Sequence, residues 1–360
     1  MIRGMTRVRQ ERKPGVVIYR PQDATGESRR RLADAGCRLH IVGDDEDLDR
    51  ALAEAGPVHA LLLASLKGTR LDRRRLSTLP ELRIVSKYTI GVDDVDVDAA
   101  TERGVLVTHC PTEANWGGVA EGTVALMLAL LKKIEIRSAS VKAGGWRNDE
   151  LRGVYLGRRE DGYLGITLGI LGLGRIGRRL AELMVPWKVR LLATDPYVDA
   201  SVFERCGAQR VTLDVLLAES DVVSIHCALT SETKSLIDGA RLELMKPDAL
   251  LINTARGEIV DVDAVCDALD AKRLGGAAFD VLPEEPPAPG ARILATDDRV
   301  ILSPHMIAAN QGGTLGPAVP WATDAVLAAL GGQVPMHVYN ESVIAGWEAR
   351  FAGRSLLTAR

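Results

Sequence analysis

Short apolar runs alternate with amphipathic stretches along the whole chain. Those at 16–19, 38–42, 60–64, 83–86 and 105–108, then 166–171, 191–194, 222–226, 250–253, 276–280 and 300–303, are predicted strands. The later runs are apolar without alternation, as in parallel strands covered by helices on both faces. Helical periodicity fills the gaps, with start and stop residues in place. Asp261 is positioned to cap a helix through Val265 and Leu269, and Gly275 follows that helix. Strand and helix alternating in this way predict an α/β chain, doubly wound, twice over.

A division between the two windings is visible. The segment 115–118 reads as a small-residue hinge, and 119–134 as one long helix leading into the second half. Pro304 and the glycines at 312 and 313 bracket the return. The expected organisation is a discontinuous first domain, 1–118 and 308–345, with a second domain, 119–307, inserted into it.

Bulk composition narrows the function classes. The 360 residues are 46% hydrophobic, enough for two cores. A net charge of −3 does not attract polyanions over the whole surface, so neither nucleic acid nor an anionic membrane is an expected partner. No apolar run reaches the roughly 20 residues of a membrane span. Val119 to Leu131 comes nearest and is interrupted by Glu121. The basic start, Met1 to Lys13, lacks an apolar stretch behind it and reads as a frayed tail, not a secretory signal. The cysteines, five in number and without C-x-x-C spacing, read as reduced thiols of a cytoplasmic protein with no metal site.

The first chemical motif is Gly172-Leu173-Gly174-Arg175-Ile176-Gly177. Among 35 glycines, G-x-G-x-x-G arises by chance, so its context decides. An apolar strand precedes it, an amphipathic helix follows, and the next strand ends at Asp195. Gly172 permits the tight turn, Gly174 the approach of a pyrophosphate, and Gly177 the close packing of helix on strand. Arg175 and Ile176 open the helix, whose unpaired N–H groups and dipole attract phosphate. Asp195 would accept from ribose hydroxyls and repel a 2′-phosphate, which favours NAD over NADP. The expected fold is therefore a Rossmann NAD-binding domain inserted into a discontinuous, flavodoxin-like substrate domain.

Three further segments end predicted strands: Asn253-Thr254-Ala255-Arg256-Gly257, Asp280-Val281-Leu282-Pro283-Glu284-Glu285-Pro286 and Ser303-Pro304-His305. Ligands bind at strand ends in open α/β sheets. An arginine can polarise a carbonyl, a histidine can deliver a proton, and a carboxylate can keep that histidine protonated. In this order and spacing the segments resemble those of the D-isomer-specific 2-hydroxyacid dehydrogenases, the phosphoglycerate, glyoxylate and D-lactate dehydrogenases. The resemblance runs from about Leu61 to Leu330 and includes Gly91-Val92-Asp93-Asp94-Val95-Asp96 and Val119-Ala120-Glu121. It implies Arg256 as substrate anchor, His305 as acid/base and Glu285 as its partner; Glu285, not Glu284, directly precedes Pro286 as in the family pattern. It implies Thr254, Ala255 and Asp280 at the nicotinamide, and Thr230 toward the adenine end. The backbone of Ile90, Gly91 and Val92 is implied as the substrate-carboxylate loop. Asn115 and Trp116 are further candidate substrate contacts, and Lys67, after the third strand, is placed either to touch an acidic substrate or to stand as a plain surface lysine. A homodimer through the NAD-binding domain is implied as well. His109 and His226 also end strands and read as structural.

Several positions depart from the family pattern. Thr89-Ile90 precedes Gly91, Trp116 follows Asn115, and Met306-Ile307 follows the histidine where small residues are usual. Bulk at Trp116, Met306 and Ile307 is expected to reshape the acyl pocket. Two other functions remain open. One is phosphite- or formate-type oxidation on the same fold, although formate-type relatives carry Gln where Glu285 stands. The other is a non-enzymatic NADH-sensing scaffold. No length remains for an added regulatory domain, so feedback through one is not expected.

Overall fold

A computed structural model describes residues 13–43, 47–66, 68–310 and 315–358. Lys67 and nearly all of the basic N-terminal tail lie outside the described residues. The chain divides into two units, Met1–Asn115 with Gln311–Arg360, and Trp116–Asn310. These divisions stand three residues from the boundaries expected at 118/119 and 307/308, and the first unit continues past 345.

In the first unit, β1 (Gly15–Tyr19), β2 (Arg38–Val42), β3 (Ala60–Leu63), β4 (Ile84–Lys87) and β5 (Leu106–Thr108) form one parallel sheet in the order β2-β1-β3-β4-β5. Period-2 side chains divide its interior into two cores. Val17, Leu61, Leu63, Val85 and Val107 pack on one face. Val16, Ile18, Leu62, Ile84 and Leu106 pack on the other, against helix Ala318–Leu330 and Trp347. Both faces are therefore covered, and the strands read as uninterrupted apolar runs for that reason.

The second unit contains β6 (Thr167–Leu171), β7 (Arg190–Thr194), β8 (Ala208–Arg210), β9 (Val222–Ile225), β10 (Leu250–Asn253), β11 (Gly276–Phe279) and β12 (Val300–Leu302). All are parallel, in the order β12-β11-β10-β9-β6-β7-β8. The chain winds outward in both directions from the β6–β9 pair, and that reversal opens a ligand crevice at the strand ends. β8 is absent from the sequence expectation because Ala-Gln-Arg carries no apolar pattern. It forms as an edge strand paired to β7, and only Ala208 is buried.

The hinge expected at 115–118 is helix. Residues Glu113–Leu131 form one 19-residue helix with Gly117 and Gly118 buried inside it. Close packing accounts for the small residues. A Cβ on Gly118 would stand 3.2 Å from the Ala308 carbonyl oxygen, and one on Gly122 would stand 2.2 Å from Cγ1 of Ile307. By length and composition this helix could cross a membrane. Its Leu126, Met127, Leu130 and Leu131 instead belong to the buried core of the second unit. Asp261 caps helix Val262–Asp270 by accepting from Ala264 N–H, as expected. The helix stops short of Gly275, however, and Lys272 takes the left-handed conformation after it.

Candidate active site

The glycine motif lies between β6 and helix Arg175–Met184. Gly172 has φ +94°, and a Cβ there would stand 2.6 Å from the Cys227 backbone nitrogen, so only glycine can make this turn without strain. Gly177 allows the helix to settle on the loop, since a Cβ there would lie 2.2 Å from the Gly172 oxygen. Gly174 caps the helix with no side-chain hydrogen bond, and a Cβ on it would meet nothing within 4 Å. The N–H groups of Gly174, Arg175 and Ile176 have no acceptor among the described residues. An open backbone face with unanswered donors at a helix N-terminus suits a pyrophosphate, so this loop fits a dinucleotide. Asp195 is placed at the end of β7, where Oδ2 accepts from Leu173 N–H (2.8 Å) and Oδ1 from Tyr197 N–H (2.9 Å). Its charge is thereby fixed beside the loop. Thr230 is exposed and hydrogen-bonds Thr233.

Three strand ends carry the remaining candidates of this unit. After β10, Asn253 is buried and holds the turn, with Oδ1 accepting from Ala255 N–H and Nδ2 donating to the Arg256 carbonyl. Thr254 is buried with its Oγ1 3.0 Å from Thr123 Oγ1, and Ala255 is buried beside it. Arg256 is half-buried and donates from Nη1 to the Ala255 carbonyl at 2.6 Å. After β11, Glu285 reaches back to its own turn, where Oε1 accepts from Leu282 N–H at 3.0 Å. Its Oε2 accepts from His305 Nδ1, after β12, at 2.7 Å.

This pair shapes both titrations. The hydrogen bond to Glu285 raises the His305 pKa, prevailing over the burial that lowers it. Burial pushes Glu285 upward, but the hydrogen bond and charge of His305, the Leu282 N–H and the Arg256 charge outweigh it and hold Glu285 low. Each group thus favours the charged form of the other, an imidazolium against a carboxylate, and Nε2 is left to carry a mobile proton.

Asp280 supports the histidine from below. It is buried, and Oδ1 accepts from the N–H groups of Met306 and Ile307 at 3.0 and 3.1 Å. His305 itself donates its N–H to the Asp280 carbonyl and has φ +54°, a conformation that needs such support outside glycine. Ile307 packs into the core of the unit, whereas Met306 is 59% exposed. Trp116 is half-buried at the start of this unit. His226 is half-buried, desolvation pushes its pKa down to about 3, and its Nε2 lies 2.8 Å from Ser224 Oγ.

In the first unit, Ile90, Gly91 and Val92 follow β4 in one loop, and Asn115 ends the first of its two segments. The sequence reading passed over Lys87. It ends β4 fully buried and donates Nζ to the Ala64 carbonyl (2.7 Å) and to both oxygens of Asp94 (2.8 and 2.6 Å). A lysine inside an apolar strand signals such a partner, because an unpaired buried ammonium is prohibitive.

A doubly wound sheet with a dinucleotide loop and an acid-paired histidine at its strand ends defines the class of nucleotide-dependent α/β dehydrogenases. The family model for the NAD-binding domain of D-isomer specific 2-hydroxyacid dehydrogenases matches residues 124–307. D-3-phosphoglycerate dehydrogenase of Archaeoglobus fulgidus is 36% identical over 263 residues, 73% of this chain and 48% of that protein. Glyoxylate reductase of Thermococcus litoralis is 35% identical over 285 residues, 78% of this chain and 84% of that one. The crystal structure of D-lactate dehydrogenase from Aquifex aeolicus, complexed with NAD and lactic acid, is 28% identical with a TM-score of 0.76. It covers 92% of this chain and 98% of its own. The chain belongs to the D-isomer-specific 2-hydroxyacid dehydrogenase family and carries its NAD-binding domain. It spans about half the length of the phosphoglycerate dehydrogenases it matches.

Proposed function

We propose that this protein interconverts a small 2-hydroxy acid and its 2-oxo acid with NAD. The observation that carries the reading is the 2.7 Å contact between Glu285 Oε2 and His305 Nδ1 in the unit that holds the dinucleotide loop. NAD, when bound, supplies or takes the hydride. In the reducing direction His305 gives its Nε2 proton to the oxygen of the 2-oxo group, and Glu285 stabilises the imidazolium before the transfer. Arg256 pairs with the substrate through its guanidinium fork, polarising the carbonyl and fixing its orientation. Thr254, Ala255 and Asp280 form the nicotinamide side of the site, and Asp280 also holds the His305 turn. Gly172, Gly174, Arg175, Ile176 and Gly177 take the pyrophosphate, Asp195 the adenosine ribose, and Thr230 the adenine side. The loop of Ile90, Gly91 and Val92 takes the substrate carboxylate, and Lys67, Asn115 and Trp116 are further substrate contacts.

We assign NAD over NADP because the fixed Asp195 carboxylate would oppose a 2′-phosphate. We also assign a homodimer through the NAD-binding domain. Helix Ile134–Lys142 buries none of its residues; Ile134 and Val141 on it are exposed, as are Trp146, Tyr155 and Leu164 further along the chain. We also assign the protein to the cytoplasm, a reading supported by the five free cysteines.

The test is a panel of 2-oxo acids with NADH, followed by loss of NADH absorbance, with formate and phosphite plus NAD run alongside. Turnover of a 2-oxo acid that falls about 10²–10⁴-fold in His305→Ala, with NADH affinity kept, is the expected result. Turnover confined to formate or phosphite, or none with NADH bound, would overturn the reading.

A further inference from the structure

The loop after β4 is bonded asymmetrically. Its carbonyls are all occupied. Thr89 O accepts from Cys110 N–H (3.0 Å), Ile90 O from His109 Nδ1 (3.0 Å), Gly91 O from Thr89 Oγ1 (2.7 Å), and Val92 O from Val95 N–H (2.9 Å). The N–H groups of Ile90, Gly91 and Val92 have no acceptor among the described residues. A trans peptide is planar, so its C=O and the following N–H point in opposite directions. Pulling the Ile90 carbonyl onto His109 therefore turns the Gly91 N–H away from His109. In the same way, pulling the Gly91 carbonyl onto Thr89 turns the Val92 N–H away from the Thr89 hydroxyl, and pulling the Thr89 carbonyl onto Cys110 turns the Ile90 N–H away from Cys110.

The side-chain donors that set these directions are His109 and Thr89. A carbonyl only accepts, so His109 must carry its proton on Nδ1. The His109 ring is held edge-on by Tyr339 (centroids 5.6 Å apart, 79°) and His337 (6.5 Å, 73°). His337 in turn stacks on Trp321 at 4.9 Å and 11°, and its carbonyl accepts from His109 N–H at 3.2 Å. A histidine standing at a strand end as a packing residue would not need this combination of a fixed tautomer, a fixed ring and a loop carbonyl.

We infer that His109 and Thr89 are positioning residues that aim the Gly91 and Val92 N–H groups at the substrate's carboxylate, giving the loop its preference for 2-oxo acids. This rests on the function proposed above. His109→Leu and Thr89→Val remove the donors at nearly constant size, whereas His109→Asn and Thr89→Ser keep one. The first two variants should raise KM for the best 2-oxo acid of the panel about ten-fold or more, because a hydrogen bond to a charged group is lost. In both, kcat, NADH affinity and Tm should be close to wild type, and the Asn and Ser variants should recover most of the KM.

A binding measurement separates this inference from the reaction itself. Adding pyruvate to the NADH-free protein should shift the amide ¹H–¹⁵N signals of Gly91 and Val92, and His109→Leu should abolish the Gly91 shift. Turnover of 2-oxo acids with KM unchanged in His109→Leu and Thr89→Val, or with no amide shift in the wild type, would overturn the inference and leave the reaction standing. Amide shifts without turnover would overturn the reaction and leave the aimed loop.

Discussion

Two methyl groups, added at two glycines of one motif, should fail in opposite ways. At Gly177 the new Cβ would lie 2.2 Å from the Gly172 oxygen, where ordinary contact begins at 3.4 Å. The opposing atom is backbone, so helix Arg175–Met184 must lift from the loop by about 1 Å, at roughly the 1–3 kcal/mol of an overpacked core. For a unit of this size that is about 2–4 °C in Tm for each kcal/mol. At Gly174 the new Cβ meets nothing within 4 Å and φ is −72°, so stability should stay within about 0.5 kcal/mol of wild type. The methyl group would nonetheless occupy the face offered to the pyrophosphate. NADH affinity should drop at least ten-fold, about 1.4 kcal/mol. Thermal melts and fluorescence titration with NADH, run on Gly174→Ala and Gly177→Ala side by side, read both effects. A Gly174→Ala protein that melts and binds NADH like wild type would refute the cradle; a Gly177→Ala protein with unchanged Tm would refute the packing argument.

Glu285→Gln keeps an acceptor for His305 Nδ1 but removes the negative charge that helps to raise the His305 pKa, so that pKa should drop. The imidazolium is the reactive form in reduction, so the alkaline limb of kcat/KM against pH should move to lower pH; a superimposable profile would show that the pair does not set proton transfer. Arg256→Lys keeps the charge but loses the fork, and should cost at least about ten-fold more kcat/KM on a 2-oxo acid than on its decarboxylated aldehyde. Equal losses on both substrates would assign Arg256 to structure. Asp195→Ala should weaken NAD binding and narrow the gap to NADP, measured as the ratio of the two kcat/KM values; a ratio that stays put would remove Asp195 from cofactor choice.

Much of this molecule is legible in its sequence because burial on both faces writes itself as uninterrupted apolar runs, and because Gly172, Gly174 and Gly177 serve separate backbone needs. The segments that carry Arg256, Glu285 and His305 stand out through their place after such runs. What escaped did so for physical reasons. β8 has one buried side chain and no pattern to read. The glycines at 117 and 118 look like a hinge because small residues serve flexibility and close packing equally, and only the neighbours in space distinguish the two uses. Lys87 and His109 gain meaning from partners seven and nineteen residues away, which no local period encodes.

The fit between helix Glu113–Leu131 and the segment after His305 also bears on how this protein can diversify. Ile307 fills the groove left open by Gly122, and Ala308 lies against Gly118, while Asp280 ties the same segment to β11. Positions 118, 122, 307 and 308 are thus a single unit of inheritance. A larger residue at 122 is admissible only with a smaller one at 307, so among descendants these sites should covary, and single exchanges at either should be rare. Libraries meant to alter substrate choice by varying 306 alone can leave the helix untouched, whereas those that reach 307 have to randomise 122 with it.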